Sequence, residues 1–371
     1  MKDPGTADRI VLIGPTLPYR GGIAQHTTML FRALKLQCQC TALSFSRQYP
    51  GWLFPGESDQ DPAYAGYREP EVKYVIDSVN PLTWRAASKR ARGLNPDLVI
   101  IPWWTVYWAP CLGYLARSLA RADIPVVFFC HNVIEHESAH WKRFLTRRVL
   151  QIGEQFVVHT HADEENLLRE FPNARVTVHP HPIADQFPTP QGNLERRAEL
   201  ELLFFGFVRP YKGLDVLVEA LGLVGDLDYR LTIAGEFWHG SAEIESRIRE
   251  LNITSRIEVI PRFISESETA ELFARADVVV LPYRSATGSG IVPIAYHYEK
   301  PVLVTNVGGL SEVVHHEETG WVVPPERPDA IADVIRAITR EDAAAMAPAI
   351  DRLKNALSWP SLGRAVLGTL R

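Results

Sequence analysis

The apolar positions of the chain gather into short runs, with helically spaced stretches between them. "RIVLIG" (9–14), "DLVIIP" (97–102), "PVVFFCH" (125–131) and "QFVVHT" (155–160) are β-branched or aromatic runs of strand length. Continuous runs of this kind suit parallel strands covered on both faces. Between them, "AQHTTMLFRALK" (24–35), "GYLARSLARA" (113–122) and "ADEENLLREF" (162–171) repeat their apolar residues with a helical period. The alternation predicts a parallel sheet with right-handed crossovers.

The pattern restarts downstream. Strands are predicted over 201–207, 230–235, 256–261, 278–283 and 301–306, and helices over 213–224, 241–251 and 265–276. "HPIADQFPTPQGNLERRAE" separates the halves and is rich in proline and polar residues, as a linker is. The tail "AAAMAPAIDRLKNALSWPSLGRAVLGTL" reads as helix with a break at Pro360. The expected fold is α/β, with two Rossmann-like parallel-sheet domains facing across a cleft. The boundaries are 1–188 for an N-terminal domain, 189–200 for the linker and 201–352 for a second domain, with a last helical segment over 353–371. Ligands of such sheets bind at the C-terminal edges of the strands.

Length and composition agree with that division. At 371 residues the chain exceeds one ordinary core, and 46% hydrophobic with 22% charged residues is a globular balance. A net charge of −5 with a pI near 6.2 argues against a nucleic-acid partner. The N-terminus lacks an apolar core of signal-peptide length, and no run has the length of a membrane span. Cys38, Cys40, Cys111 and Cys130 follow no C-x-x-C spacing, so free thiols in a reducing compartment, the cytoplasm, are expected.

Candidate chemistry sits in the loops that join strand to helix. "GPTLPYRGGIAQH" (14–26) places Gly21 and Gly22 before a helix, where backbone can approach a ligand closely; a tight turn gives the same pattern. It is not the G-x-G-x-x-G dinucleotide fingerprint. "GFVRPYKGLDVL" (206–217) puts Arg209 and Lys212 just ahead of a helix start, against the helix dipole. A solvated basic turn is one reading, and a bound diphosphate gripped by both cations is the other. "YRSATGSGIVPIAYHYEK" (283–300) offers Ser289 as an N-cap, with the N–H groups of Gly290 and Ile291 turned toward an anion.

Together these segments resemble the retaining GT-B glycosyltransferases of the family-4, or group 1, type. The resemblance rests on "FFGFVRPYKGLDVLVEAL", "LTIAGE", "IEVIPRFISESETAELFARADVVVLPY" and "KPVLVTNVGGLSEVVHHEETGWVVPP", with weaker support from "GGIAQH", "FFCHN" and "WPSLGRAVL". It implies a nucleotide-diphosphate sugar as donor, UDP- or GDP-linked, and a hydroxyl acceptor met by the N-terminal domain, in polysaccharide or glycolipid assembly. Arg209 and Lys212 would neutralise the diphosphate, with Ser289 to Ile291 donating backbone N–H groups to it. Phe263 would lie at the nucleobase edge, Gly21 and Gly22 would approach the diphosphate, and His131 would reach the transferred sugar. His131 could equally be a histidine buried at a strand end. The family's last helix crosses back onto the first domain.

The sequence departs from the family at its paired glutamates. Counted from Gly290, those positions hold Thr287 and Ala295; Glu299 lies one helical turn further on. Thr287 can still hydrogen-bond a sugar hydroxyl, whereas Ala295 cannot hold a ribose. The chain is thus a divergent branch, which keeps open a non-catalytic sugar-nucleotide binder, or another GT-B activity such as an epimerase. With no D-x-D motif at a strand end, metal-independent transfer without a cofactor is expected. The pairs His159/His161 and His179/His181, each read as sharing a strand face, lack a cysteine or carboxylate to complete a zinc site.

Two further segments bear on the acceptor. Between Arg85 and Leu150 there are ten Lys/Arg against four Asp/Glu. Within that span, 137–151 carries Trp141, Phe144, Leu145 and Val149 on one stripe beside Lys142, Arg143, Arg147 and Arg148. Such a helix could meet anionic lipid at the inner face of a membrane and serve a lipid-linked acceptor, or it could be an ordinary surface helix. The aromatics of "IPWWTVYWAP" (101–110) could stack on an acceptor sugar, although core packing explains them more simply.

Overall fold

The computed structural model describes residues 8–50, 59–61, 64, 66–131, 140–192, 195–238 and 240–370. The chain divides into two units, the first 1–180 with 359–371 and the second 181–358. The division therefore falls after Pro180, and the segment belonging with the first unit at the C-terminus begins at Trp359 rather than at 353.

Unit 1 holds strands β1 (Arg9–Ile13), β2 (Gln39–Arg47), β3 (Val72–Asp77), β4 (Leu98–Trp103), β5 (Val126–Cys130), β6 (Gln155–Val158) and β7 (Arg175–Val178). All pair in parallel, in the order β3-β2-β1-β4-β5-β6-β7. Helices α1 (Gly22–Lys35), α2 (Pro81–Gly93), α3 (Ala109–Ala120), α4 (His140–Leu150) and α5 (His161–Glu170) connect them. Alternate residues of the central strands serve two cores. Val11, Ile13, Val99, Ile101 and Phe128 face Leu112, Leu115 and Leu119 of α3. Ile10, Leu12, Ile100, Val127 and Phe129 face Leu30, Phe31 and Leu34 of α1.

Unit 2 repeats the scheme with β8 (Leu200–Phe205), β9 (Tyr229–Ala234), β10 (Ile257–Ile260), β11 (Val278–Leu281), β12 (Val302–Thr305) and β13 (Gly320–Val323). Their order is β10-β9-β8-β11-β12-β13, again parallel. The helices are α6 (Leu214–Leu223), α7 (Ser241–Glu250), α8 (Glu266–Arg275), α9 (Ile291–His297), α10 (Leu310–Val313), α11 (Pro328–Ala337), α12 (Arg340–Ala345) and α13 (Ala347–Ala356). The last helix, α14 (Trp359–Gly368), returns to unit 1, where Trp359, Leu362 and Val366 join the α1 core. Burying each such side chain contributes about 1.5–3 kcal/mol, enough to hold a ten-residue helix that would not persist alone.

In both sheets the strand order reverses beside the first strand, between β1 and β4 and between β8 and β11. Diverging crossovers leave a crevice at the C-terminal edge there, the usual ligand position of a doubly wound sheet. Two close backbone approaches set the loops at the unit 2 switch point. Gly213 has φ of +65°, and a Cβ on it would stand 2.0 Å from the Pro282 carbonyl oxygen. Gly308 has φ of +47°, and its Cβ would stand 1.7 Å from the Ala286 carbonyl oxygen. The loops after β8, β11 and β12 are therefore packed backbone to backbone.

Gly213→Ala combines a left-handed backbone with a main-chain collision. It is expected to destabilise unit 2 by about 2 kcal/mol or more. Denaturant unfolding followed by a unit 2 probe such as Trp321 checks this, and a loss under about 0.5 kcal/mol would contradict the packing described.

Candidate functional site

The β8–α6 loop carries both cations singled out in the sequence. Arg209 ends the extended run after β8, and Pro210–Lys212 forms a single 3₁₀ turn closed by Gly213. This turn folds Lys212 inward until its side chain is only 8% exposed. Its Nζ lies 5.5 Å from the centroid of the Tyr283 ring and beside the backbone of Gly206, where a Cβ would stand 3.2 Å from it. No carboxylate pairs with Lys212 or Arg209 among the described residues. Burial, reinforced by the nearby Arg209 charge, lowers the Lys212 pKa from the ordinary lysine value to about 8.

Arg209 finds an aromatic platform instead of an acid. Its guanidinium carbon sits 3.7 Å from the centroid of Trp238. The platform is placed by backbone pairing beyond the strands. The Val208 N–H donates to Glu236 O at 2.9 Å, and the Trp238 N–H donates to Val208 O at 3.2 Å. Phe207 meets Trp238 edge to face at 5.7 Å, so exposed aromatics flank the cation. Sequence reasoning missed Trp238, because its partner lies a full crossover away; the only signal was an aromatic pair, Phe237-Trp238, directly after a buried strand.

The β11–α9 loop is braced by a different arginine. Arg284 makes a two-pronged contact with Asp215, bonds the Pro210 carbonyl at 2.7 Å and approaches Glu326 at 3.3 Å. These contacts lower the Asp215 pKa and tie α6 to the loop. The loop differs from the sequence expectation in one respect. Gly290, not Ser289, occupies the N-cap position of α9. The Ser289 hydroxyl instead accepts from the Ile291 N–H at 3.1 Å and lies 3.5 Å from the Tyr283 hydroxyl. The Ile291 N–H is thus already engaged, while exposed Gly290 retains an accessible backbone. A serine oxygen reaches the N–H two residues on as readily as the next turn does.

Thr287 is half-buried, and its carbonyl accepts from the Gly309 N–H at 3.2 Å. Ala295 is wholly buried in the unit 2 core. Phe263 is 47% exposed in the loop after β10, the edge strand of the sheet. Arg209, Lys212, Ser289 and Gly290 therefore gather at one switch point, whereas Phe263 stands two strands away from β8.

In unit 1, Gly21 is the N-cap of α1 with φ of 101°, and neither Gly21 nor Gly22 would place a Cβ within 4 Å of anything. The backbone there is open to a ligand. His131 follows β5, with its N–H donating to Trp103 O at 2.9 Å and its ring stacked on Phe129 at 5.1 Å. It is half-buried, beside His26 and His159. The histidine pairs read as sharing strand faces do not: β6 ends at Val158 and β7 at Val178, and His161 opens α5, exposed and bonded to Glu164 at 2.9 Å. Trp103 and Trp108 of the aromatic run are buried in the core, leaving Trp104 and Tyr107 half-buried.

Of the segment 137–151, residues 137–139 lie outside those described. Along α4 the expected stripe splits. Val149 packs against Gly113 of α3, where a Cβ would stand 3.0 Å from its methyl, while Trp141 and Phe144 are 59% and 62% exposed.

The Lys212 amine is expected to titrate near pH 8, well below ordinary lysines, when followed by NMR of dimethylated lysines. Because its folded pKa lies below the unfolded one, stability from this group rises with pH between about 8 and 10.5. A Lys212 titration at the ordinary lysine value would contradict its burial as an unpaired cation.

Two family models match the chain in tandem: "Glycosyltransferase Family 4" over residues 20–187 and "Glycosyl transferases group 1" over residues 185–349. Among curated relatives, the GDP-mannose:glycolipid 4-beta-D-mannosyltransferase of Xanthomonas campestris pv. campestris is 27% identical over 262 residues, 68% of this chain and 70% of that protein. A D-inositol 3-phosphate glycosyltransferase of Xylanimonas cellulosilytica is 26% identical over 312 residues, 76% of this chain and 73% of the relative. A glycosyltransferase structure from Rickettsia africae superposes with a TM-score of 0.74 at 17% identity, over 98% of each chain. Anabaena Alr3699/HepE in complex with UDP gives 0.71 at 15% identity, over 98% of this chain and 99% of its own. At those identities the two structures speak to fold alone. The chain belongs to the family-4, group 1 glycosyltransferases of the GT-B fold.

Proposed function

We propose that this glycosyltransferase moves a sugar from a nucleotide-diphosphate sugar, UDP- or GDP-linked, to a hydroxyl acceptor, with retention and without a metal ion. One observation carries the proposal: two cations without an acid partner among the described residues, one of them buried, stand at the C-terminal switch point of the unit 2 sheet. A diphosphate supplies the charge they lack, with Arg209 as the planar grip and Lys212 as the point charge. The GDP-mannose named for the Xanthomonas relative makes that sugar nucleotide the first donor to try.

The chemistry asks little of side-chain nucleophiles. As the sugar C1–O bond to phosphate breaks, negative charge gathers on the leaving diphosphate, and Arg209 and Lys212 stabilise it. The acceptor oxygen bonds to C1, and its proton passes to the departing phosphate. Within unit 2, backbone at Gly290 is assigned to the diphosphate, Ser289, Ile291 and Thr287 to the donor's surroundings and Phe263 to the base; Gly21, Gly22 and His131 of unit 1 keep the roles that the family resemblance gives them. Retention rests on the family resemblance alone; the linkage in the Xanthomonas relative's name is beta, so the product anomer decides it.

A thermal-shift panel of UDP-, GDP- and ADP-sugars in EDTA, on wild type and Arg209→Ala, tests the site. A donor at about a hundred times its dissociation constant adds about 2.7 kcal/mol of stability to wild type and far less to the variant. Its affinity falls above pH 8 as Lys212 loses its proton, by up to about tenfold per unit. Absence of any shift would remove the donor site, and a shift without turnover would leave a sugar-nucleotide binder. Product of the opposite anomer would overturn retention.

The acceptor is proposed to be lipid-linked, in polysaccharide or glycolipid assembly at the cytoplasmic face of a membrane. No helix among the described residues is long and apolar enough to cross one. A groove of about 580 Å³ between α2, α3 and α4 is lined by Arg92, Arg117, Arg121 and Arg148 and, among the described residues, by no acidic one. None of the four has an acid partner among the described residues, and exposed Trp141 and Phe144 share α4 with Arg148. Each such cation near an anionic surface contributes about 1 kcal/mol. Arg117→Gln with Arg121→Gln is therefore expected to weaken co-sedimentation with phosphatidylglycerol vesicles by about thirtyfold. Equal binding by variant and wild type would sink the membrane reading.

A further inference from the structure

We propose that unit 1 holds a transition-metal site, with zinc as its ion, formed by the imidazoles of His26, His131 and His159. The three come from the second turn of α1, the end of β5 and the end of β6, far apart in sequence. One ring nitrogen from each nevertheless lies within 4.8 Å of the other two. The ring centroids are 4.5 Å apart for His26 and His131, and 5.2 Å apart for each of them and His159.

The hydrogen bonding of His159 sets its ligand atom. Its Nδ1 stands 3.0 Å from the His179 carbonyl oxygen, which can only accept. Nδ1 therefore carries the proton, and Nε2 keeps the lone pair that a metal needs. A ligand histidine anchored through its other nitrogen to a carbonyl is the usual outer support of a metal centre. Burial grades across the cluster: His26 and His159 are buried and His131 is half-buried, so a fourth coordination position is reached from the His131 side. Trp359 packs at 5.0 Å from His26 and buries an indole N–H that has no acceptor among the described residues. A water on the ion is one such acceptor.

Neutral imidazoles suit zinc and its late transition-metal neighbours. Tetrahedral ligation at about 2.0–2.1 Å brings nitrogens to about 3.4 Å from one another. Ring nitrogens now within 4.8 Å of one another close by an ångström or so. Rotation of His26 and His131 about their side-chain bonds accomplishes this, while His159 stays tied to His179. The site owes nothing to the donor reading. If His131 also meets the transferred sugar, ion and sugar compete for that ring, a consequence that does rest on it.

The test uses the full chain, stripped with EDTA and given one equivalent of Zn²⁺. X-ray absorption should show three nitrogen scatterers at about 2.0–2.1 Å, without sulfur at about 2.3 Å. Competition against a chromophoric chelator should saturate at one ion per chain, and His159→Gln should weaken binding at least tenfold. Absence of stoichiometric binding would overturn the site, as would sulfur ligation pointing to the cysteines. Unchanged affinity in a His159→Gln variant that melts like wild type would overturn it too. The absorption spectrum needs only the wild type, so a variant that fails to fold leaves the answer intact.

Discussion

The ammonium of Lys212 is buried with no acid beside it among the described residues, and the architecture of unit 2 around it follows from that placement. Removing a cation from water costs several kcal/mol unless a partner replaces the solvent. Among the described residues the charged neighbour acting on it is Arg209, of the same sign. The fold sustains the arrangement by spending rigid contacts elsewhere. Gly213 locks the loop against Pro282, Arg284 bridges Pro210 and Asp215, and Trp238 gives Arg209 an aromatic face. Each of these holds the cations in place without neutralising them. A site prepared in this way gains most from a ligand that brings negative charge, and it needs no reorganisation to receive one.

The sheet order explains why these loops can meet at all. With β8 beside β11, the first crossover of unit 2 leaves on one side and the fourth strand's connection leaves on the other. Their loops are then neighbours at the C-terminal edge, although about eighty residues separate Lys212 from Gly290. Unit 1 uses the same order for its first four strands, so the open backbone at Gly21 arises from the same geometry.

How much of this was legible in the sequence varied with the kind of signal. Strands buried on both faces, such as Val126–Cys130 and Val278–Leu281, read as unbroken apolar runs. β7, at a sheet edge, is "RVTV" and half-buried, and β13 is four residues beginning with glycine; neither carries a run long enough to stand out. α2, "PLTWRAASKRARG", buries only Ala87, Ser88 and Ala91, so its apolar stripe is too thin to mark a helix. Arg209 and Lys212 were legible because their oddity is local, two cations ahead of a helix start. Trp238 and the His26–His131–His159 cluster were not, because backbone pairing and strand order bring them together. Proximity in sequence instead drew attention to His159 and His161, which the first turn of α5 sends apart.

The missing family glutamates take on a physical meaning in this packing. Ala295 lies wholly inside the unit 2 core, on the inner face of α9 among Val292, Tyr296 and the buried strands. A carboxylate in that apolar setting would be desolvated and pushed toward its neutral form. The helix is built around an apolar residue at this point, so a ribose contact from Ala295 is excluded by packing as well as by chemistry. Thr287 remains in the loop, with its backbone spent on Gly309 and its side chain short and neutral. Without the two acids, nothing at these positions offsets the charge of Arg209 and Lys212. The same substitutions that weaken the hold on sugar and ribose hydroxyls therefore leave the positive potential at the switch point undiminished, shifting the burden of recognition onto the diphosphate.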